Sequence, residues 1–188
     1  MTGSKIDPNK IILLDRDEVI NITPKGEKYI LKSENIKFIE KNIQALSKLS
    51  SRGFSFIVIT NQRCVNTGLI SPEELEKIHS FIKTELLEKH NINILKFFYC
   101  PHKIIEFCEC RKPRPGLILE AINEFKLSKK TIMIGDQITD CIAALSAGIF
   151  SVLIKNNFED EELDAENKHL GFYESINEAI PKILDIYE

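Results

Sequence analysis

No apolar run in this sequence approaches the roughly 20 residues needed to span a bilayer. Nor do residues Met1 to Lys10 contain an apolar signal core, so a cytoplasmic protein is the expectation. Net charge is also slight, −3 at pH 7, and bulk electrostatics give no case for nucleic acid or an anionic membrane as a partner. No internal repeat, low-complexity segment or Pro/Gly/Ser linker divides the chain. Its 188 residues therefore read as one domain, 1–188, with room for a sizeable core. A monomer acting on a small molecule is expected. Five cysteines in a reducing compartment do not suit a disulfide framework; their positions carry more than their number.

What the chain does have is alternation. Ile11–Leu14, "FSFIVIT" (54–60), "ILKFFY" (94–99), "TIMIG" (131–135) and "FSVLI" (150–154) are short apolar runs rich in β-branched and aromatic residues. They read as buried strands. Helical patterns lie between them. One covers 42–52 and stops at Gly53; a second opens on Ser71, with Pro72 in its first turn and Glu74 closing a capping box. Others cover 115–125, 139–147 and 175–187. This order predicts an α/β fold, a Rossmann-like, doubly wound and mostly parallel sheet with helices on both faces. The charged stretch 157–169 reads as a solvated loop or short helix.

Chemistry gathers at the strand ends. In "LLDRDEVIN", Asp15 and Asp17 follow a buried strand directly, and open α/β sheets bind ligands at that edge. Alternation along an extended chain predicts that both carboxylates face one cleft. Taken alone, Asp-Arg-Asp equally opens an ordinary loop with Arg16 paired locally. The stretch "IMIGDQITD" shifts the balance, because a second strand delivers Asp136, and Asp140 four residues on, to the same edge. Carboxylates from two strands suit a hard cation such as Mg²⁺, which offsets their charge and polarises a phosphoryl group. "VITNQ" adds the Thr60 hydroxyl and nearby backbone N–H groups, fit to hold an anion. "CRKPRPG" sets Arg111, Lys112 and Arg114 just before a helix N-terminus, a combination that suits an anionic ligand, although by itself it is also an ordinary solvated basic patch.

"CPHKIIEFCEC" holds Cys100, His102, Cys108 and Cys110. Three thiols and one imidazole at this spacing match a closed, structural Zn²⁺ site, against the alternative of a loop with buried free cysteines. Zinc would fold a loop with little core of its own and fix Arg111 and Lys112, which follow the last ligand. Cys64 and Cys141 lack such neighbours and read as packing residues. His79, His90 and His169 read as packing or surface histidines.

In chain order, Asp15-Arg16-Asp17, Thr60-Asn61-Gln62, Lys112 and Gly135-Asp136 with Asp140 resemble the four motifs of the haloacid-dehalogenase-like phosphatases, over about residues 11 to 154. "LLDRDEVIN", "VITNQ" and "CPH…CECRKPRPG" are most similar to the heptose-bisphosphate phosphatases, with histidinol-phosphate phosphatases as siblings. The resemblance implies a Mg²⁺-dependent phosphatase of a small sugar phosphate, first of all D-glycero-D-manno-heptose 1,7-bisphosphate hydrolysed at C7, and alternatively histidinol phosphate. It implies Asp15 as nucleophile, forming an aspartyl-phosphate, and Asp17 as general acid and then general base. Mg²⁺ would rest on the Asp15 carboxylate, the Asp17 backbone carbonyl and Asp136. Thr60, Asn61, Arg111 and Lys112 would bind the substrate phosphate, while Asp140 supports the metal site or orients Lys112. The zinc loop at about 100–110 and the sheet order follow from the same resemblance. Too little chain separates Asp17 from the next helix for a large cap domain, so loops alone would shield the cleft.

Three positions depart from the family pattern. Glu18 stands where a glycine is usual; a positive φ there would cost on the order of 1 kcal/mol or more. "RCVNTG" follows the second motif in place of Ser-Gly and a basic residue, leaving Arg63 as a substitute cation. Gln137 replaces a frequent lysine. A reading of another class, a zinc-stabilised binding protein on this scaffold, would take these as marks of lost activity. Retention of Asp15, Asp17, Lys112 and Asp136 speaks against it, since a binding module needs no nucleophile.

Overall fold

The computed structural model describes residues 6–154 and 168–187. Its centre is β1 (Ile11–Leu14), whose four residues are all fully buried. A strand covered on both faces needs no polar alternation, and this one has none. β1 pairs in parallel with β2 (Ser55–Asn61) on one side and β4 (Ile132–Gly135) on the other. β3 (Ile94–Cys100), β5 (Phe150–Ile154) and β6 (His169–Tyr173) complete a parallel sheet of order β3-β2-β1-β4-β5-β6.

The alternate side chains of these strands build two cores. Ile12 and Leu14, with Phe56, Val58 and Ile134, pack toward α1 (Glu40–Ser50), α2 (Pro72–His90) and α5 (Ile176–Tyr187). Ile11 and Leu13, with Ile57, Ile59 and Met133, pack toward α3 (Gly116–Phe125) and α4 (Ile138–Ser146). The expected five strands and five helices are in place, displaced at their ends by one or two residues. The capping box of α2 is formed: Ser71 Oγ accepts the Glu74 N–H at 3.2 Å, and the Glu74 carboxylate accepts the Ser71 N–H at 2.7 Å.

One expectation changes: a strand, β6, stands where the sequence predicts none. Its five residues are all half-buried and are interrupted by Gly171 at φ +122°, so neither a buried run nor a clean alternation marks it. His169 is therefore a strand residue. Most of the charged stretch 157–169 lies outside the described residues; its end enters β6.

Because β1 and β4 are neighbours, their carboxyl ends open onto the same edge, and the Asp15 N–H donates to the Ile134 carbonyl at 2.9 Å. Between β1 and α1 the chain forms only a short 3₁₀ turn at Ser33–Asn35, and β2 connects to β3 through α2 alone. Among the described residues, no large cap domain covers the site. Among the described residues, no helix is long and apolar enough to cross a membrane.

Candidate active site

Asp15, Asp136 and Asp140 bring carboxylate oxygens within 4.8 Å of one another at this edge. Lys112 reaches them from the loop before α3. Its Nζ lies 3.0 Å from Asp15 Oδ1 and 2.6 Å from Asp140 Oδ1, and donates to the Ile59 carbonyl at 2.8 Å. Asp140 is the third residue of α4, and its Oδ2 accepts the Asp136 and Gln137 N–H groups at 3.1 and 3.0 Å. A carboxylate in the first turn suits the helix dipole. Gly135 makes this arrangement possible: a Cβ there would stand 2.2 Å from Asp140 Oδ2. Gln137, in place of the expected lysine, donates its side-chain amide to Asp136 Oδ2 at 2.6 Å.

These charges do not balance. Three carboxylates face one buried ammonium. Burial pushes the Asp15 carboxyl up to about 7; Lys112 pulls the other way, and Asp140, Asp17 and Asp136 add to the rise. For Lys112, burial favours the neutral amine, but Asp140 and Asp15 outweigh it and raise the group to about 12. Oxygen-only donors with excess negative charge fit a hard divalent cation. Asp140 has its oxygens taken by Lys112 and two backbone N–H groups, which leaves Asp15 and Asp136 as the better placed pair.

Asp17 stands in a bonding network of its own. β1 ends at Leu14, and the chain then turns: Arg16 N–H donates to Asp15 Oδ1 at 2.7 Å, Asp17 bridges to Asn21, and Glu18 takes φ +61°. The Asp17 carboxylate is bound by Arg16 through Nε at 3.1 Å and Nη2 at 3.0 Å, by Asn21 at 2.9 Å and by Gln62 at 2.9 Å. Burial alone would raise this carboxyl, but the Arg16 guanidinium and these donors hold it below the usual range. Arg16 has no exposed surface. Its Nη1 lies 3.4 Å from Nε2 of buried His79, whose ring stacks on Phe97. Burial, with Arg16 adding to the effect, pushes His79 down to about 3 and keeps it neutral. His79 is thus a packing histidine, as expected, and it backs the arginine.

Thr60 is buried, and its hydroxyl accepts from Gln62 Nε2 at 2.9 Å. The Asn61 side chain grips the backbone of Lys112, accepting its N–H at 3.2 Å and donating to its carbonyl at 3.3 Å. Arg111 donates to the His102 carbonyl at 3.4 Å. With Asn61, Lys112, Phe107, Arg114 and Thr139 it lines a cavity of about 320 Å³. The Glu18 carboxylate accepts the Thr23 N–H at 2.9 Å, and Arg63 donates to the Tyr29 hydroxyl at 2.8 Å. Both departures from the family pattern are bonded to the loop between β1 and α1. Sequence reasoning missed Gln62 and Asn21 as partners of Asp17. Gln62 lies within the "TNQ" stretch, but nothing in its residue type announces the contact.

Beside this site, Cys100, His102, Cys108 and Cys110 converge. Their Sγ and Nδ1 atoms stand 3.1 to 3.6 Å apart in the closest pairs, and no cysteine among the described residues is in a disulfide. A tetrahedron with Zn–S of about 2.3 Å and Zn–N of about 2.0 Å has edges of roughly 3.5 to 3.8 Å, so this set fits zinc. Gly116 seats the loop against α3, since a Cβ there would meet the Glu109 carbonyl oxygen at 2.3 Å. Cys64 and Cys141 are buried away from this set.

The family described as "HAD-hyrolase-like" matches residues 109–179. A D-glycero-beta-D-manno-heptose-1,7-bisphosphate 7-phosphatase of Helicobacter pylori is 33% identical over 153 residues, covering 81% of this chain and 83% of the relative. A D-glycero-alpha-D-manno-heptose-1,7-bisphosphate 7-phosphatase of Campylobacter jejuni is 35% identical over 153 residues, covering 81% and 86%. The chain belongs to the haloacid-dehalogenase-like phosphatases. It is a phosphoric monoester hydrolase, and its fold agrees. The structure of D,D-heptose 1,7-bisphosphate phosphatase from B. bronchiseptica, complexed with magnesium and phosphate, superposes with a TM-score of 0.81 at 23% identity, covering 94% of this chain and 98% of that one.

Proposed function

We propose that this phosphatase hydrolyses a heptose bisphosphate, D-glycero-D-manno-heptose 1,7-bisphosphate at C7, through an aspartyl-phosphate. The observation that carries the reading is the buried set of Asp15, Asp136 and Lys112 at the carboxyl ends of β1 and β4. The names of relatives at 33 to 35% identity supply the substrate.

Mg²⁺, held by Asp15, Asp136 and the Asp17 backbone carbonyl, would supply charge neutralisation and phosphoryl polarisation. Asp15 attacks phosphorus with its carboxylate and the C7–oxygen side leaves as an alkoxide. Lys112, fixed between Asp15 and Asp140, stabilises the charge that develops on the phosphoryl oxygens. Thr60 donates its hydroxyl to one of those oxygens. Asp17, ionised in the unliganded site, takes the proton of the substrate's phosphate monoanion and passes it to the departing alkoxide, and then takes a proton from the water that cleaves the acyl phosphate. Asn61 holds Lys112 in place through its backbone. Zn²⁺ in the Cys100, His102, Cys108 and Cys110 set is structural and places Arg111 and the cavity wall. A small phosphorylated sugar matches a cleft shielded only by loops.

Phosphate release from both anomers of heptose 1,7-bisphosphate, histidinol phosphate and a set of hexose phosphates tests the reading, with Mg²⁺ and with EDTA. The expected result is Mg²⁺-dependent turnover highest on a heptose bisphosphate. Higher kcat/KM on histidinol phosphate would transfer the chain to the sibling branch.

A further inference from the structure

Gln62 is a fully buried amide directly after β2, and its Nε2 makes two bonds of 2.9 Å, to Asp17 Oδ2 and to Thr60 Oγ1. The orientation of the amide is set by chemistry. Turned over, its oxygen would face the Asp17 carboxylate, acceptor against acceptor. The backbone N–H of Gln62 donates to the Cys100 carbonyl at 2.8 Å, which ties the residue to the strand that carries the first zinc ligand. Its Oε1 faces the Cys64 thiol at 3.5 Å. Its backbone carbonyl accepts the Val65 N–H at 3.3 Å, so every polar atom of Gln62 is committed inside the protein.

The bond to Thr60 has a consequence for the hydroxyl. An O–H that accepts at its oxygen from Gln62 has its own hydrogen left to give. The bond to Asp17 works on the other side. Arg16 and Asn21 take Oδ1, while Gln62 fixes the second oxygen together with Arg16 Nη2.

We propose that Gln62 is a positioning residue that couples the two halves of the reaction, aiming the Thr60 hydroxyl as a phosphoryl donor while holding the Asp17 carboxylate in register for proton transfer. The inference rests on the roles of Asp17 and Thr60 given under Proposed function. One amide serving both groups makes their geometry interdependent, and a buried side chain does not wander between partners.

The test is a set of single-turnover measurements on the Mg²⁺-loaded enzyme with two substrates, heptose 1,7-bisphosphate, whose leaving alkoxide needs a proton, and p-nitrophenyl phosphate, whose leaving phenolate does not. Gln62→Met is close in shape and has no amide. It is expected to lower the rate of phosphoryl transfer about 10- to 100-fold on the sugar phosphate, within the range of general acid catalysis, and only a few-fold on the aryl phosphate. Inhibition by inorganic phosphate should weaken several-fold through Thr60. If Gln62→Met does not fold, Gln62→Asn keeps an amide too short to span both partners and should show the same selectivity between leaving groups. Asp17→Asn, measured alongside, separates the two levels of the account. Selective loss in Asp17→Asn with equal loss on both substrates in the Gln62 variants would overturn the proposal and leave the role of Asp17 standing. No selectivity in Asp17→Asn would overturn that role itself. In the double variant, a Gln62→Met effect as large as in the native background would also refute the coupling.

Discussion

Replacing Asp15 by asparagine should make the metal-free phosphatase more stable, by an amount that grows with pH. The side chain keeps its shape while an uncompensated buried charge is removed. Burial lifts this carboxyl to about 7, against 3.8 for an aspartate free in water, and each pH unit of that difference is worth about 1.4 kcal/mol. The full penalty for ionising it in the fold is therefore roughly 4 kcal/mol. The sign follows from linkage. An acid whose folded pKa is raised binds its proton more tightly in the fold than in the unfolded chain, so stability falls as pH rises from about 4 to about 7 and is level above. Lys112 keeps a partner in the variant, because Asp140 stands 2.6 Å away. Between pH 5 and pH 8 the gap between variant and native protein in EDTA should widen by about 2 to 3 kcal/mol. For a domain of this size that is about 5 to 10 °C in Tm. Thermal melts followed by circular dichroism at the two pH values measure it. Added Mg²⁺ at pH 8 should raise the Tm of the native protein and leave the variant nearly unmoved. A gap that does not change with pH, or a variant less stable than the native protein at pH 8, would refute the reasoning.

Metal analysis should find about one zinc per chain; Cys108→Ser should lose it, lower Tm and depress turnover by releasing Arg111 and Lys112. Unchanged stability and zinc content in that variant would count against the structural role. Gly135→Ala puts a methyl group 2.2 Å from Asp140 Oδ2, displacing the carboxylate that holds Lys112 and the start of α4. Denaturant unfolding should show a loss of about 2 to 4 kcal/mol, and a fully stable, active variant would show that Asp140 has room elsewhere.

The fold was legible because its strands are short, apolar and separated by helical patterns, one of them with a full capping box. Ser71, Pro72 and Glu74 announced the start of α2, and Gly53 the end of α1. β6 escaped because Gly171 and half-exposed neighbours leave no period to read. Within the site, Asp15, Asp136, Asp140 and the cysteine and histidine set were readable as residue types at strand ends and at ligand spacing, whereas Lys112 was singled out by the family resemblance. The partners of Asp17 were not readable. Asn21 and Gln62 reach the carboxylate from separate segments; the strand stops at Leu14, and the chain turns with Glu18 at φ +61°. That backbone costs about 1 kcal/mol in a residue other than glycine, and the Thr23 N–H bond to the Glu18 carboxylate offsets part of it. Asn61 shows a different limit. Its motif suggested a phosphate ligand, whereas its side chain pairs with the backbone of Lys112. Contacts between distant segments, such as Gln62 with Asp17, depend on side-chain reach across neighbouring strands and leave no period in the sequence.

The most direct measurement is chemical trapping of the enzyme during turnover of heptose 1,7-bisphosphate with Mg²⁺. Borohydride reduction followed by peptide mass spectrometry should convert residue 15, and no other carboxylate, to homoserine. Turnover without any modification at Asp15, or trapping at a different residue, would contradict the account.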